Sequence, residues 1–231
     1  MSKCMYVPGR SRKISSFKQN NDMPHLLELF SGTGSIGRVF RNAGWTVTSV
    51  DIDPRFSPDV CCNVLNLTAD MITITPDVIW ASPPCTQYSR ARTTALTPRD
   101  LDGADMIVEK VLQIIDWYPG VWFFIENPLG MMRHRPMMVD IPRRTIDYCS
   151  YADDRFPRYY RKRTDIWTNT DWHPWRPLCN KRCLGCEHGR HMYVAQRIAK
   201  GDVRGNTLHE LYAIPPALPV ELVEHMVFDQ Y

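Results

Sequence analysis

No stretch of this sequence approaches the roughly 20 consecutive apolar residues that a membrane helix requires, so no membrane partner is expected. The first 21 residues carry no acid, and no apolar segment stands behind their basic side chains, so they do not read as a secretory signal. Internal repeats and low-complexity tracts are missing as well, which sets aside solenoids and linker-like chains. What remains is an ordinary soluble composition, 44% hydrophobic and 23% charged over 231 residues. That length supports one substantial core with a small appendage, or two small domains.

The net charge of +3 is unevenly spread. Lys3, Arg10, Arg12, Lys13 and Lys18 lie in the acid-free segment, leaving a body of 23 basic and 25 acidic residues. Within that body, residues 150–206 hold 12 Lys/Arg against 6 Asp/Glu. Two basic regions around a near-neutral body suit a polyanion such as nucleic acid, although a solvated tail and a soluble face account for charge alone equally well. Of the eight cysteines, Cys179, Cys183 and Cys186 cluster and Cys85 sits alone beside prolines. Without a secretory signal, this favours a reducing compartment, one metal cluster and one reactive thiol over disulfides.

Along the chain, residues 1–22 read as a basic flexible tail. A strand over 25–30 (HLLELF) runs into a glycine-rich turn, 31–37 (SGTGSIG), that opens a helix. Further strands are expected at 45–50, closing with Asp51, at 77–81 before Ser82-Pro83-Pro84-Cys85, and at 121–125 before Glu126-Asn127-Pro128. Thr97 predicts a helix start, with its hydroxyl as cap, Pro98 at the first position and Asp100 three residues on. Ile107, Val108, Val111, Leu112 and Ile115 then follow helical spacing. Strands alternating with helices predict an α/β fold with a doubly wound, mostly parallel sheet. Residues 23–167 are expected to form its main body, 168–206 a small irregular insert, and 207–231 a helical return to the body. Ligands of open α/β sheets bind at the C-terminal strand edge, where one pocket can collect Phe30, Asp51, Cys85 and Glu126.

Each motif also has a plain explanation. The Gly32, Gly34, Gly37 pattern can be a tight turn or a cradle for a nucleotide-like cofactor. Asp51, 19 residues beyond Gly32, ends the next strand, where a carboxylate can accept ribose hydroxyls. No lysine follows the glycines, which disfavours phosphoryl transfer. Cys85 follows a proline-fixed turn that would hold a thiol rigidly exposed, with Arg90 and Arg92 near enough to favour its thiolate; a buried, inert cysteine is the alternative. Glu126 ends a strongly apolar strand, where an acid tends to keep its proton and can donate it; a surface or capping Glu is the alternative.

Taken in order, 29–34 (LFSGTG), Asp51, Pro84-Cys85 and Glu126-Asn127-Pro128 resemble the cytosine-5 DNA methyltransferases. The stretches 80–89 (WASPPCTQYS) and 160–169 (YRKRTDIWTN) resemble the compact phage and viral members of that family. The resemblance covers roughly residues 25–228. It implies a Rossmann-like domain that takes S-adenosylmethionine and acts on a cytosine flipped out of double-stranded DNA. Cys85 would attack carbon 6, Glu126 would hold or protonate ring nitrogen 3, and Arg163, helped by Arg161, would contact the cytosine carbonyl oxygen. Phe30 would stack on adenine, Asp51 bind ribose and Asn63 contact the adenine, with Ser31, Gly32, Thr33, Gly34, Ile52 and Pro83 completing the cofactor pocket. Thr86 stands where the family usually has Gln, Asn63 where it often has Asp, and Leu211-Tyr212 where Gly-Asn is usual. Residues 86–94, with Ser89, Arg90 and Arg92, resemble the mobile loop that closes over DNA, its arginines on phosphates. The expected setting is intracellular: bacterial cytoplasm, or the nucleus or viral factory of a virus-infected cell. A cytosine-5 methyltransferase for RNA and a catalytically silent DNA-binding protein are the rival readings, and nothing in the sequence fixes an oligomeric state.

Cys179, Cys183, Cys186 and His191 offer four soft donors at the compact spacing of a closed structural zinc site, with His188 a rival fourth ligand. Unpaired surface thiols are the alternative. Such a site would brace an insert too small for its own core. Trp172, Trp175 and Tyr193 could stack on bases there, or simply pack.

Overall fold

The computed structural model describes residues 23–90, 92, 95–153, 159–193, 195 and 208–228. The basic segment 1–22, parts of the 86–94 loop and residues 196–206 of the insert lie outside these. In chain order the elements are β1 (His25–Leu29), α1 (Ser35–Asn42), β2 (Thr46–Asp51), β3 (Val60–Cys61), β4 (Val78–Ala81), α2 (Leu101–Asp116), β5 (Trp122–Pro128), β6 (Arg143–Asp147) and β7 (Arg163–Thr168). A small hairpin follows, β8 (Cys186–Glu187) and β9 (Arg190–His191), then α3 (Leu208–Tyr212) and α4 (Ala217–Phe228).

Among the described residues, seven strands form one sheet in the order β3-β2-β1-β4-β5-β7-β6. The β3–β5 portion is parallel throughout, while β7 runs antiparallel to both β5 and β6. This is the doubly wound, mostly parallel architecture expected from the sequence. The apolar strands follow from it, because both faces of the sheet are covered. Leu26, Trp80 and Phe124 join Phe40 of α1 and Leu222 of α4 in one cluster. Their neighbours Leu27, Ile79 and Phe123 join Val108 and Val111 of α2 in the other.

Two boundaries differ from expectation. The α2 helix begins at Leu101, and its cap is Asp100, whose carboxylate accepts from the Gly103 N–H at 2.9 Å. Thr97 does not cap it: its hydroxyl and carbonyl both accept from the Arg92 guanidinium, which holds residues 97–98 as loop. The strand β5 does not stop before Glu126 but continues through Pro128, because β7 pairs alongside it, Glu126 opposite Ile166 and Asn127 opposite Asp165.

After β1 the chain turns outward to β2 and β3, then crosses back to β4 on the other side of β1. The crevice beyond the ends of β1 and β4 is thus the topological switch point, the place where open α/β sheets bind ligands. The register brings Leu29 opposite Ala81, and the Ser82 N–H donates to the Leu29 carbonyl at 3.3 Å. The glycine-rich turn and the turn leading to Cys85 therefore leave the sheet side by side.

Candidate active site

The glycine-rich turn is built from left-handed backbone. Phe30, Gly32 and Gly34 have φ of 59°, 46° and 65°; for Phe30 that conformation is strained. It is held in place because the Ser31 N–H donates to the Val50 carbonyl at 3.1 Å and the Gly32 N–H to Asp51 Oδ2 at 2.8 Å. Asp51 Oδ1 accepts from the Asp53 N–H at 2.9 Å, so one carboxylate ties the turn to the end of β2. Gly37, the last glycine of the pattern, serves packing: a Cβ there would collide with the Glu28 carboxylate, which accepts the Gly37 N–H. Thr33 Oγ1 and Ser35 Oγ are 2.8 Å apart, and the Ile214 N–H donates to Ser35 Oγ at 3.3 Å, which joins the C-terminal return to the turn.

Around this turn, a Cβ added at Gly34 would meet nothing within 4 Å. Ile52 is 64% exposed at the β2 end, Phe30 is half-buried and Asn63 is exposed, its Oδ1 accepting from the Leu65 N–H at 3.0 Å. Open space at Gly34, with Phe30 and Ile52 near the Asp51 carboxylate, suits the adenosine portion of S-adenosylmethionine.

On the other side of the switch point, Cys85 heads a tight turn whose carbonyl accepts the N–H groups of Tyr88 and Ser89 at 3.0 and 2.8 Å. That turn is anchored twice. The Tyr88 hydroxyl donates to Asp105 of α2 at 2.7 Å, and its carbonyl accepts from the Met131 N–H at 2.9 Å. A Cβ on Gly130 would collide with that carbonyl, which explains a glycine there. Pro83 is buried, and its carbonyl accepts from Asn127 Nδ2 at 2.9 Å.

Glu126 is 5% exposed on β5 and accepts a hydrogen bond from the Tyr148 hydroxyl at 2.9 Å. Lys162 Nζ lies 3.8 Å from Glu126 Oε1 and 4.8 Å above the Tyr148 ring. Burial pushes the Cys85 thiol up from the ordinary value; the Lys162 charge pulls it down and the Glu126 charge reinforces the rise. The cation that favours the thiolate is therefore Lys162, not Arg90 or Arg92; the described part of the loop shows Arg92 bound to Thr97 and Pro98. Lys162 and Tyr148 were missed from the sequence. Lys162 sits between two arginines that carry the same charge, and nothing local marks Tyr148.

Arg163 leads β7 and meets Asp147 through two bonds, Nε to Oδ1 at 3.0 Å and Nη2 to Oδ2 at 2.9 Å. Arg161 Nε donates to the same Oδ1 at 3.2 Å. Burial alone would raise Asp147, but the two arginines outweigh it and hold the carboxyl below its ordinary range. A carboxylate holding a guanidinium with two bonds fixes its plane as well as its place.

Beyond Asp147, Cys179, Cys183 and His191 come together with Cys149, and Cys186 Sγ lies 3.5 Å from Cys183 Sγ. His188 points away at the tip of the β8–β9 hairpin, its side chain 93% exposed. Trp172 is buried against Phe124 and donates to Glu221 at 3.1 Å, so it packs; Tyr193 packs against the same cluster, and Trp175 is 55% exposed. A shallow depression of about 420 Å³ is lined by Arg161, Lys181, Arg190, His191 and Tyr193.

No protein-family model matches the chain. It is 31% identical over 217 residues to a Frog virus 3 (isolate Goorha) protein described as "Probable DNA (cytosine-5)-methyltransferase", covering 86% of this chain and 98% of that one. Among solved structures it is similar to the S. pombe Dnmt2 methyltransferase (14% identity, TM-score 0.44, 65% of this chain and 51% of that one). It is also similar to the Entamoeba histolytica methyltransferase EhMeth (15% identity, TM-score 0.49, 68% and 57%). The chain thus spans little more than half the length of these structures. With that likeness running through nearly the whole viral relative, the chain belongs to the cytosine-5 methyltransferase family.

Proposed function

We propose that this chain is an S-adenosylmethionine-dependent enzyme that methylates carbon 5 of cytosine in double-stranded DNA through a covalent Cys85 adduct. One observation carries the reading: the buried Glu126 carboxylate and Lys162, 3.8 Å apart, both act on the charge of the Cys85 thiol at the switch-point edge, beside the glycine-rich turn. A thiol there suits attack on an electrophilic ring carbon.

In this reading Phe30, Ser31, Gly32, Thr33, Gly34, Asp51, Ile52, Asn63 and Pro83 hold S-adenosylmethionine, which supplies an electrophilic methyl group. Cys85, having lost its proton to solvent, forms a bond to carbon 6 of the flipped base. Glu126 holds or donates a proton at ring nitrogen 3, so that charge building up in the ring is neutralised where it forms. Lys162 favours the thiolate, and Arg163, helped by Arg161, contacts the base carbonyl oxygen while Asp147 fixes its orientation. After carbon 5 is methylated its proton is lost to solvent, the carbon 6–sulfur bond breaks, and the electron pair returns to Cys85. The nucleophile works only while reduced, which fits an intracellular setting.

The viral relative's description favours DNA as substrate. Lys181 and Arg190, lining the depression within the insert, suit phosphate contacts, and residues 168–206 serve as the DNA-reading insert. The test is a competition in which labelled methyl groups are offered to duplex DNA and structured RNA together. Label in DNA, abolished by Cys85→Ser, supports the reading. Label in RNA alone transfers it to RNA cytosine, and label in neither, with cofactor bound, leaves a silent binding protein.

A further inference from the structure

Four side chains with no part in this chemistry converge behind the arginine pair. Cys149 is 3% exposed and lies two residues beyond Asp147 at the end of β6. Cys179 and Cys183 come from the irregular segment after β7, and His191 from β9. One donor atom from each lies within 4.8 Å of all the others. His191 Nε2 is 3.5 Å from Cys179 Sγ and 3.3 Å from Cys183 Sγ.

The two His191–sulfur separations are close to those of a metal centre. With Zn–S about 2.3 Å and Zn–N about 2.0–2.1 Å, tetrahedral ligands stand roughly 3.5–3.8 Å apart. A disulfide would need sulfurs at about 2.05 Å, and these cysteines are all free. Cys186 is 3.5 Å from Cys183 but falls outside the group of mutually close donors.

The hairpin end of the segment has little packing of its own. Its hairpin has two residues per strand around a left-handed His188-Gly189 turn, with φ of 48° and 74°. A hairpin of that size is not stable alone. Leu178, Leu184 and Met192 are 46%, 81% and 42% exposed, so these apolar side chains do not build a core for it. The loop is already aimed: the Cys179 N–H donates to Asp147 Oδ2 at 3.0 Å, the Lys181 N–H to Cys179 Sγ at 3.3 Å, and the Cys186 N–H to the Cys183 carbonyl at 2.9 Å.

We propose that Cys149, Cys179, Cys183 and His191 bind one zinc ion in a closed tetrahedral site that fastens the segment after β7 to the end of β6. Three thiolates and an imidazole suit zinc, and four protein ligands leave no open position, so the ion is structural. The third sulfur comes from Cys149 in the main body, about thirty residues before the cluster, rather than from the neighbouring Cys186.

The test measures zinc in the full-length protein purified under reducing conditions with zinc supplied. One equivalent is expected, lost in Cys149→Ser and retained in Cys186→Ser. Wild-type protein is also alkylated with and without a chelator and its cysteines mapped, so the answer does not depend on Cys149→Ser folding. Cys186 should react in both states, and Cys179 and Cys183 only after chelation. A protein that takes up no zinc overturns the site. Zinc retained in Cys149→Ser, or Cys186 shielded until the metal is removed, overturns the ligand assignment.

Discussion

Asn127 Nδ2 donates to the Pro83 carbonyl oxygen at 2.9 Å, joining the strand that carries Glu126 to the turn that carries Cys85. Asn127 is fully buried and Pro83 is buried, so water cannot replace the bond. Asn127→Ala strands a buried carbonyl and should cost about 1–3 kcal/mol of stability, read by urea denaturation. It should also lower kcat more than it raises KM, because the nucleophile and the acid lose their common reference.

Lys162 should control the reactivity of Cys85. Burial raises the thiol, so alkylation of the free protein at Cys85 should climb through the ordinary thiol range and beyond it as pH rises. Lys162→Met removes the opposing positive charge and should move the profile to higher pH; Glu126→Gln should move it lower. Peptide mapping of alkylated Cys85 against pH reads both shifts, and an unmoved profile in Lys162→Met would sink the assignment.

Asp147 is a positioning residue, binding Arg163, Arg161 and the Cys179 backbone at once. Asp147→Asn keeps the size but weakens the hold on both guanidinium groups. A misplacement of about 1 Å at a reacting centre can cost about a hundredfold in rate. We expect kcat to fall on that scale with cofactor affinity unchanged, measured by turnover alongside S-adenosylhomocysteine titration.

Glu28 makes stability depend on pH. Burial beneath α1 raises its carboxyl from 4.5 to about 7. The folded state therefore holds a proton that the unfolded chain releases near pH 4.5. Its contribution is fully present below that pH and is lost as pH rises through 7, a decline of about 3 kcal/mol. Glu28→Gln keeps the hydrogen bond from Gly37 without a titrating proton, so its denaturation midpoint should fall less than wild type between pH 5 and 7.5.

The parts of the fold legible in the sequence are those whose physics is local. Strands β1, β4 and β5 are dense apolar runs because both faces of the sheet are covered, and the turns after them carry the polar motifs. By contrast, β6 and β7 hide behind charges neutralised from afar. Asp165 is fully buried yet ion-paired to Arg133 and Arg143, and Asp147 to Arg161 and Arg163. The cap of α2 went to Asp100 because a loop arginine occupies Thr97. Cys149 has no spacing signal, since only the β6–β7 pairing brings it to the distant cysteine cluster. The motifs mark Cys85 and Glu126 as candidates, but no motif marks Lys162, because three adjacent cations differ only in where the strand aims them.

The most direct test of the central claim uses duplex DNA carrying 5-fluorocytosine in place of cytosine, incubated with the protein and S-adenosylmethionine. Fluorine at carbon 5 cannot leave as a proton does, so the ring cannot expel the thiolate. The account predicts a denaturation-resistant protein–DNA adduct mapping to Cys85 and absent in Cys85→Ser. An adduct that persists in Cys85→Ser, or none on any duplex while the cofactor binds normally, would contradict it.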